Sequence, residues 1–93
     1  MVVGVARVDM HIPGCRSLKE KRRHVKGLID RVRVRFGVSV AEVDHLGAWQ
    51  RTTLGVACVS NSSAHASRVL DAVVRFMDRA DPLVMVDVTI QML

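Results

Sequence analysis

The chain has 93 residues, 49% hydrophobic and 25% charged, with a net charge of +5 and two cysteines. That describes one globular domain with room for one thin core, and it excludes a multidomain enzyme, a disulfide mini-protein and a closed zinc finger. No apolar run approaches the ~18 residues of a membrane helix, and residues 1–12 lack the basic and apolar regions of a secretion signal.

Residues 2–12 alternate, with Val2, Gly4, Ala6, Val8, Met10 and Ile12 on one face and Val3, Val5, Arg7, Asp9 and His11 on the other. This is the period of a half-buried strand. Pro13-Gly14 breaks it. Ser17-Leu18-Lys19-Glu20 has capping-box spacing, so a helix follows. Its apolar stripe is Leu18, Val25, Leu28, Ile29, Val32 and Phe36, at a period of ~3.6, and Gly37 suits the position that ends it. Residues 38–46 and 52–60 read as two strands of a hairpin joined around residues 47–51. Ser60-Asn61-Ser62 supplies the cap of a second helix over about 62–79, which buries Ala66, Val69, Leu70, Val73 and Met77. Its outer face carries Arg68, Asp71, Arg75 and Asp78, a nearly neutral solvated surface. Asp81-Pro82 stops that helix. Residues 83–92 alternate again, with Val84, Val86, Val88, Ile90 and Met92 on one side.

The order β-α-β-β-α-β is the ferredoxin-like pattern, α+β, in a single domain over residues 1–93. Each helix has one apolar stripe, so both must lie on one face of a four-stranded antiparallel sheet. Gly4, Ala6 and Gly55 are the small residues that let helices approach. The other sheet face stays open.

Several segments carry a family resemblance. They are Ser17-Leu18-Lys19-Glu20-Lys21-Arg22, Val38-Ser39-Val40-Ala41-Glu42-Val43, Trp49-Gln50-Arg51, Leu54-Gly55-Val56-Ala57 and Val59-Ser60-Asn61. Taken together and in this order, the chain resembles the YlxP-like bacterial family, a domain of unknown function. The resemblance implies a ferredoxin-like fold and a cytoplasmic bacterial protein. It also implies a gene neighbourhood shared with a translation initiation factor and ribosome-binding factor A. It supplies no catalytic residues.

The charge is concentrated in one place. Residues 16–35 hold nine Lys and Arg against Glu20 and Asp30, a net +7, which leaves −2 for the rest. At ~100° per residue, Lys19, Arg22, Arg23, Lys26 and Arg33 share one sector of the first helix, with Arg16 just ahead of it. Asp30 can pair with Lys26 or Arg33. Such a ridge suits backbone phosphates, and a solvated face is the plain alternative. The expected partner is RNA or the ribosome, read without sequence specificity.

Other constellations are weaker. The helix start at residues 13–17 has one glycine, too few for a phosphate loop, and Glu20 occupies part of it. On the open face, Arg7 is expected opposite Asp87 as a cross-strand ion pair. Asp9 and His11 share that face without an enclosing pocket. Aromatics are Phe36, Trp49 and Phe76 only, none on a strand, which argues against a sheet that stacks RNA bases. Trp49 and Arg51 in the hairpin are candidate interface residues, with Trp49 tucked onto the core edge as the alternative. Cys58 reads as a small buried hydrophobe and Cys15 as an exposed loop thiol. His24, His45 and His65 share no ligand spacing. No enzyme activity, cofactor, metal or small-molecule substrate is therefore expected. The open face with Val3, Val5 and Met85, and the exposed strand edges, make a homodimer the alternative reading.

Overall fold

The computed structural model describes residues 1–93. The elements are β1 (Val2–His11), α1 (Leu18–Phe36), β2 (Ser39–Asp44), β3 (Arg51–Ser60), α2 (Ser63–Met77) and β4 (Val84–Met92). The strands form one antiparallel sheet in the order β2-β3-β1-β4. The fold is ferredoxin-like.

Local chemistry fixes the helix ends. The Ser17 hydroxyl accepts from the Glu20 N–H at 3.1 Å, and the Glu20 carboxylate accepts from the Arg16 N–H at 3.2 Å. This is the reciprocal satisfaction of donors that a capping box provides. Gly37 closes α1 at φ 62°, and its N–H reaches the Arg33 carbonyl. A left-handed residue there suits glycine because it has no Cβ. Ser62 caps α2 by accepting from the His65 N–H at 3.2 Å.

The core lies between the helices and one sheet face. Ala6, Val8, Met10 and Ile12 of β1 and its continuation meet Leu54 and Val56 of β3 and Val38 and Val40 of β2 and its approach. Val25, Leu28 and Val32 of α1 and Leu70, Val73 and Met77 of α2 close over them. At Gly4 α2 comes close to the sheet: a Cβ there would stand 3.3 Å from that of Ala66.

Four expectations need correction. Gly55 does not receive a helix; it lies on the open face, where Val43 covers it. The alternation of β4 does not run through. Gly4, Ala6 and Val8 face Met92, Ile90 and Val88, but the register then shifts so that Met10 faces Met85 and His11 faces Val84. The bulge puts Met85 on the helix side and Val84 on the open side, the reverse of the simple period. On the other side of the bulge the register runs unbroken from Gly4 to Asp9 and is two residues off the expected one: Thr89 faces Arg7 and Asp87 faces Asp9, so the expected Arg7–Asp87 pair does not form. The thiols differ from expectation in that Cys15 is buried, held where the Gln50 amide donates to its carbonyl at 3.2 Å, while Cys58 packs against the core only partly buried, near the end of β3.

Candidate polyanion-binding surface on the first helix

Helix α1 buries Lys21, Val25, Leu28 and Val32 and turns its other side to solvent. Lys19, Arg22, Arg23 and Lys26 all lie on that exposed side. Lys26 binds Asp30 at 2.8 Å, one turn on. The Lys26 ammonium holds the Asp30 carboxyl below its ordinary value of 3.8, with Arg33 adding a smaller pull. Both groups are exposed, so the pair adds little to stability. The ion pairs of the molecule are Lys26–Asp30, Lys21–Glu42 and Arg7–Asp44. Lys19, Arg22 and Arg23 therefore have no carboxylate partner. Arg16 is exposed just ahead of them.

Arg33 is drawn off the ridge. Its guanidinium donates to the Val40 carbonyl at 2.7 Å, which ties α1 to the β2 edge. Lys21, one of the nine cations in the basic segment, does not contribute to the surface at all. Its side chain is 1% exposed and its ammonium sits 2.9 Å from the Glu42 carboxylate. It also donates to the carbonyls of His45 and Leu46, at 2.5 and 3.4 Å. Glu42 in turn accepts from the Thr52 hydroxyl at 2.7 Å. A charge this deeply covered must have partners on every donor, and here it has them. Its place was visible in the helical period, since position 21 lies in the sector of 25, 28 and 32.

The open sheet face has its own polar chain. Arg7 reaches across β3 to Asp44 at 3.0 Å. The His45 N–H donates to the Asp44 carboxylate at 2.7 Å. That bond, then the nearby imidazole, then Arg7, hold the Asp44 carboxyl below its ordinary 3.8. Beside this pair, the Thr53 hydroxyl donates to Asp9, and the His45 Nδ1 lies 3.0 Å from the same hydroxyl. Asp, Thr and His in contact invite comparison with a nucleophile and its base. The bonding runs the wrong way for that: Thr53 gives its proton to Asp9, so His45 Nδ1 must donate to Thr53. Thr53 is also fully buried. The chain fastens the loop after β2 to the sheet and presents no nucleophile. No group of three or more His, Cys, Asp or Glu side chains gathers as a metal site.

Trp49 stands exposed in the β2–β3 loop, 53% accessible, and is not tucked onto the core. Arg51 beside it is exposed at the start of β3. No strand carries an aromatic residue. No helix is long and apolar enough to cross a membrane. On α2, Arg75 pairs with neither Asp71 nor Asp78 and lines a cleft between the two helices.

The family model described as a protein of unknown function, DUF503, matches residues 3–90. The chain belongs to the DUF503 family. A relative described as uncharacterized protein YlxP, from Bacillus subtilis (strain 168), is 38% identical over 77 residues, covering 83% of this chain and 84% of that one. Among solved structures, a de novo designed protein named Foldit4 superposes with a TM-score of 0.55 at 14% identity, covering 100% of this chain and 97% of its own. That likeness speaks to the fold alone. The DUF503 assignment agrees with the resemblance in the sequence motifs, and it carries no assigned activity.

Proposed function

We propose that this DUF503 protein is an RNA-associated accessory factor that holds backbone phosphates on the exposed side of α1. The observation that carries the reading is the row Lys19, Arg22 and Arg23, exposed and without a carboxylate partner, continued by Lys26. Long cations spaced along a helix suit a chain of phosphates and carry no base specificity. The sheet face lacks the aromatics with which a related topology stacks bases, so the helix is the contact surface.

Each phosphate neutralised on a single strand gives a slope of about −0.7 in log K against log salt. Three or four engaged cations give about −2 to −3. Binding of a mixed-sequence single-stranded RNA, titrated at several salt concentrations, measures this. Replacing Lys19, Arg22 and Arg23 together by glutamine should flatten the slope by about 2 while the helix persists, because glutamine is a good helix former. Arg68→Gln on α2 is the control and should leave the slope unchanged. Equal slopes for the triple variant and the control sink the reading, as does wild type that shows no salt-dependent binding.

A second reading, self-association, is favoured by apolar side chains on the open face: Val43, Val59 and Val84 are each at least half exposed. Light scattering at high micromolar concentration should then give twice the monomer mass, and a strict monomer removes this reading.

A further inference from the structure

A second cationic feature lies away from the ridge, where the C-terminal halves of α1 and α2 come together. A cleft of about 500 Å³ is lined there by Arg31, Arg35, Arg75 and Arg79 over Phe36 and Phe76, with no carboxylate on its wall. We propose that this cleft is a binding site for a diphosphate group, carried by a nucleotide or free as inorganic pyrophosphate.

The first argument is charge. Arg31 and Arg35 are one helical turn apart; opposite them, Arg75 stands in the last turn of α2 and Arg79 in the turn that follows it. Like charges at such spacing repel. The helix C-termini offset part of this, since their carbonyls favour cations. Carboxylates were available to offset the rest. Asp71 and Asp78 lie one turn before and after Arg75, yet neither pairs with it, and Asp30 is engaged by Lys26. Four unpaired guanidinium groups on one concave wall match a compact anion of several charges. They do not match a single phosphodiester, which carries one.

The second argument is preorganisation. The two phenyl rings meet edge to face, with centroids 5.6 Å apart and planes at 79°. The Arg35 guanidinium rests 5.7 Å from the Phe36 centroid and 5.3 Å from that of Phe76. Stacking of this kind fixes the plane of the fork and leaves its edge N–H groups free. Arg31 is fixed differently: its Nε donates to the Gly27 carbonyl at 3.2 Å, so its terminal N–H groups remain available. Planar forks held in this way bind phosphate oxygens in pairs. The ridge on α1, by contrast, sets its cations in a row on a convex surface.

Calorimetric titration of the full chain at low salt tests this with inorganic pyrophosphate, ADP, inorganic phosphate and adenosine. Pyrophosphate and ADP should both saturate, phosphate should bind more weakly, and adenosine should not bind. Equal affinities for pyrophosphate and ADP assign the anion itself as ligand, and tighter ADP assigns the nucleotide. Arg31→Gln/Arg79→Gln leaves the Arg35 stack in place and should weaken binding by about a hundredfold or more, the worth of two charged hydrogen bonds. The glutamine triple variant of Lys19, Arg22 and Arg23 should keep full pyrophosphate affinity, so this site and the RNA ridge fail or succeed separately. NMR of the wild-type arginine Nε–H signals guards against a misfolded variant, since pyrophosphate should move those of Arg31, Arg35, Arg75 and Arg79. No saturable binding of pyrophosphate or ADP, binding of adenosine as tight as ADP, or shifts confined to Arg22 and Arg23 would overturn the proposal.

Discussion

Lys21→Met should lower stability by about 3 kcal/mol, the low end of the range for breaking a buried ion pair. Methionine fills much of the same volume and suits a helix, so the loss comes from the partners left behind. Glu42, mostly covered, keeps its charge without the ammonium 2.9 Å away. The carbonyls of His45 and Leu46 lose their donor as well. For a domain of this size, each kcal/mol shifts the midpoint by about 4–8 °C, so thermal denaturation should show a fall of about 12–24 °C. Adding Glu42→Gln removes the stranded charge and keeps an acceptor for Thr52. The double variant should therefore recover part of the loss, the non-additivity expected of contacting residues. A Lys21→Met variant as stable as wild type would show that the pair contributes nothing net.

Gly4→Val should cost about 1–3 kcal/mol by overpacking. Its Cβ would stand 2.9 Å from Leu70 Cδ1, 3.2 Å from Met92 Cε and 3.3 Å from the Ala66 Cβ. The first two are ends of flexible side chains and can swing. The Ala66 Cβ is fixed to the backbone of α2, so the whole helix must shift. Leu70→Ala in the same chain opens space beside the new methyls and should make the two substitutions less than additive. Gly27 gives the contrast. Nothing lies within 4 Å of a Cβ built there, so Gly27→Ala should stabilise α1 by about 1 kcal/mol on helix propensity alone. Chemical denaturation of the two glycine variants should show shifts of opposite sign, and the same sign for both would refute this account of the packing.

The fold was legible because its signals were local and mutually consistent. Ser17, Glu20, Gly37 and Ser62 mark helix ends through bonds that span a few residues, and the sheet face of β1 follows from strict alternation. What stayed hidden depended on register. One extra residue in β4 exchanges the faces expected for Val84 and Met85, and a register two residues off the expected one gives Arg7 Thr89 in place of Asp87; no spacing in the sequence announces either. The candidate surface was legible in the same measure. Lys19, Arg22, Arg23 and Lys26 share a face by helical period, but the capture of Arg33 by a β2 carbonyl needs the tertiary structure. The arginine cleft was invisible for a stronger reason: Arg31 and Arg35 meet Arg75 and Arg79 across about forty residues of chain or more, and only the packing of α1 beside α2 joins them.

The bulges bear on how copies of this chain can assemble. Both outer strands are interrupted, β2 where the register slips between Glu42 and Asp44 and β4 where it slips opposite Asp9 and Met10. A continuous row of outward N–H and C=O groups is what templates open-ended polymerisation, and a break in that row is a known protection. Here each lateral boundary offers two short, mismatched ladders in place of one long one. Growth by adding sheet to sheet, side by side, is thus discouraged at both ends of the same molecule. Strand addition at either edge is therefore the disfavoured route, which leaves contact between side chains on a face.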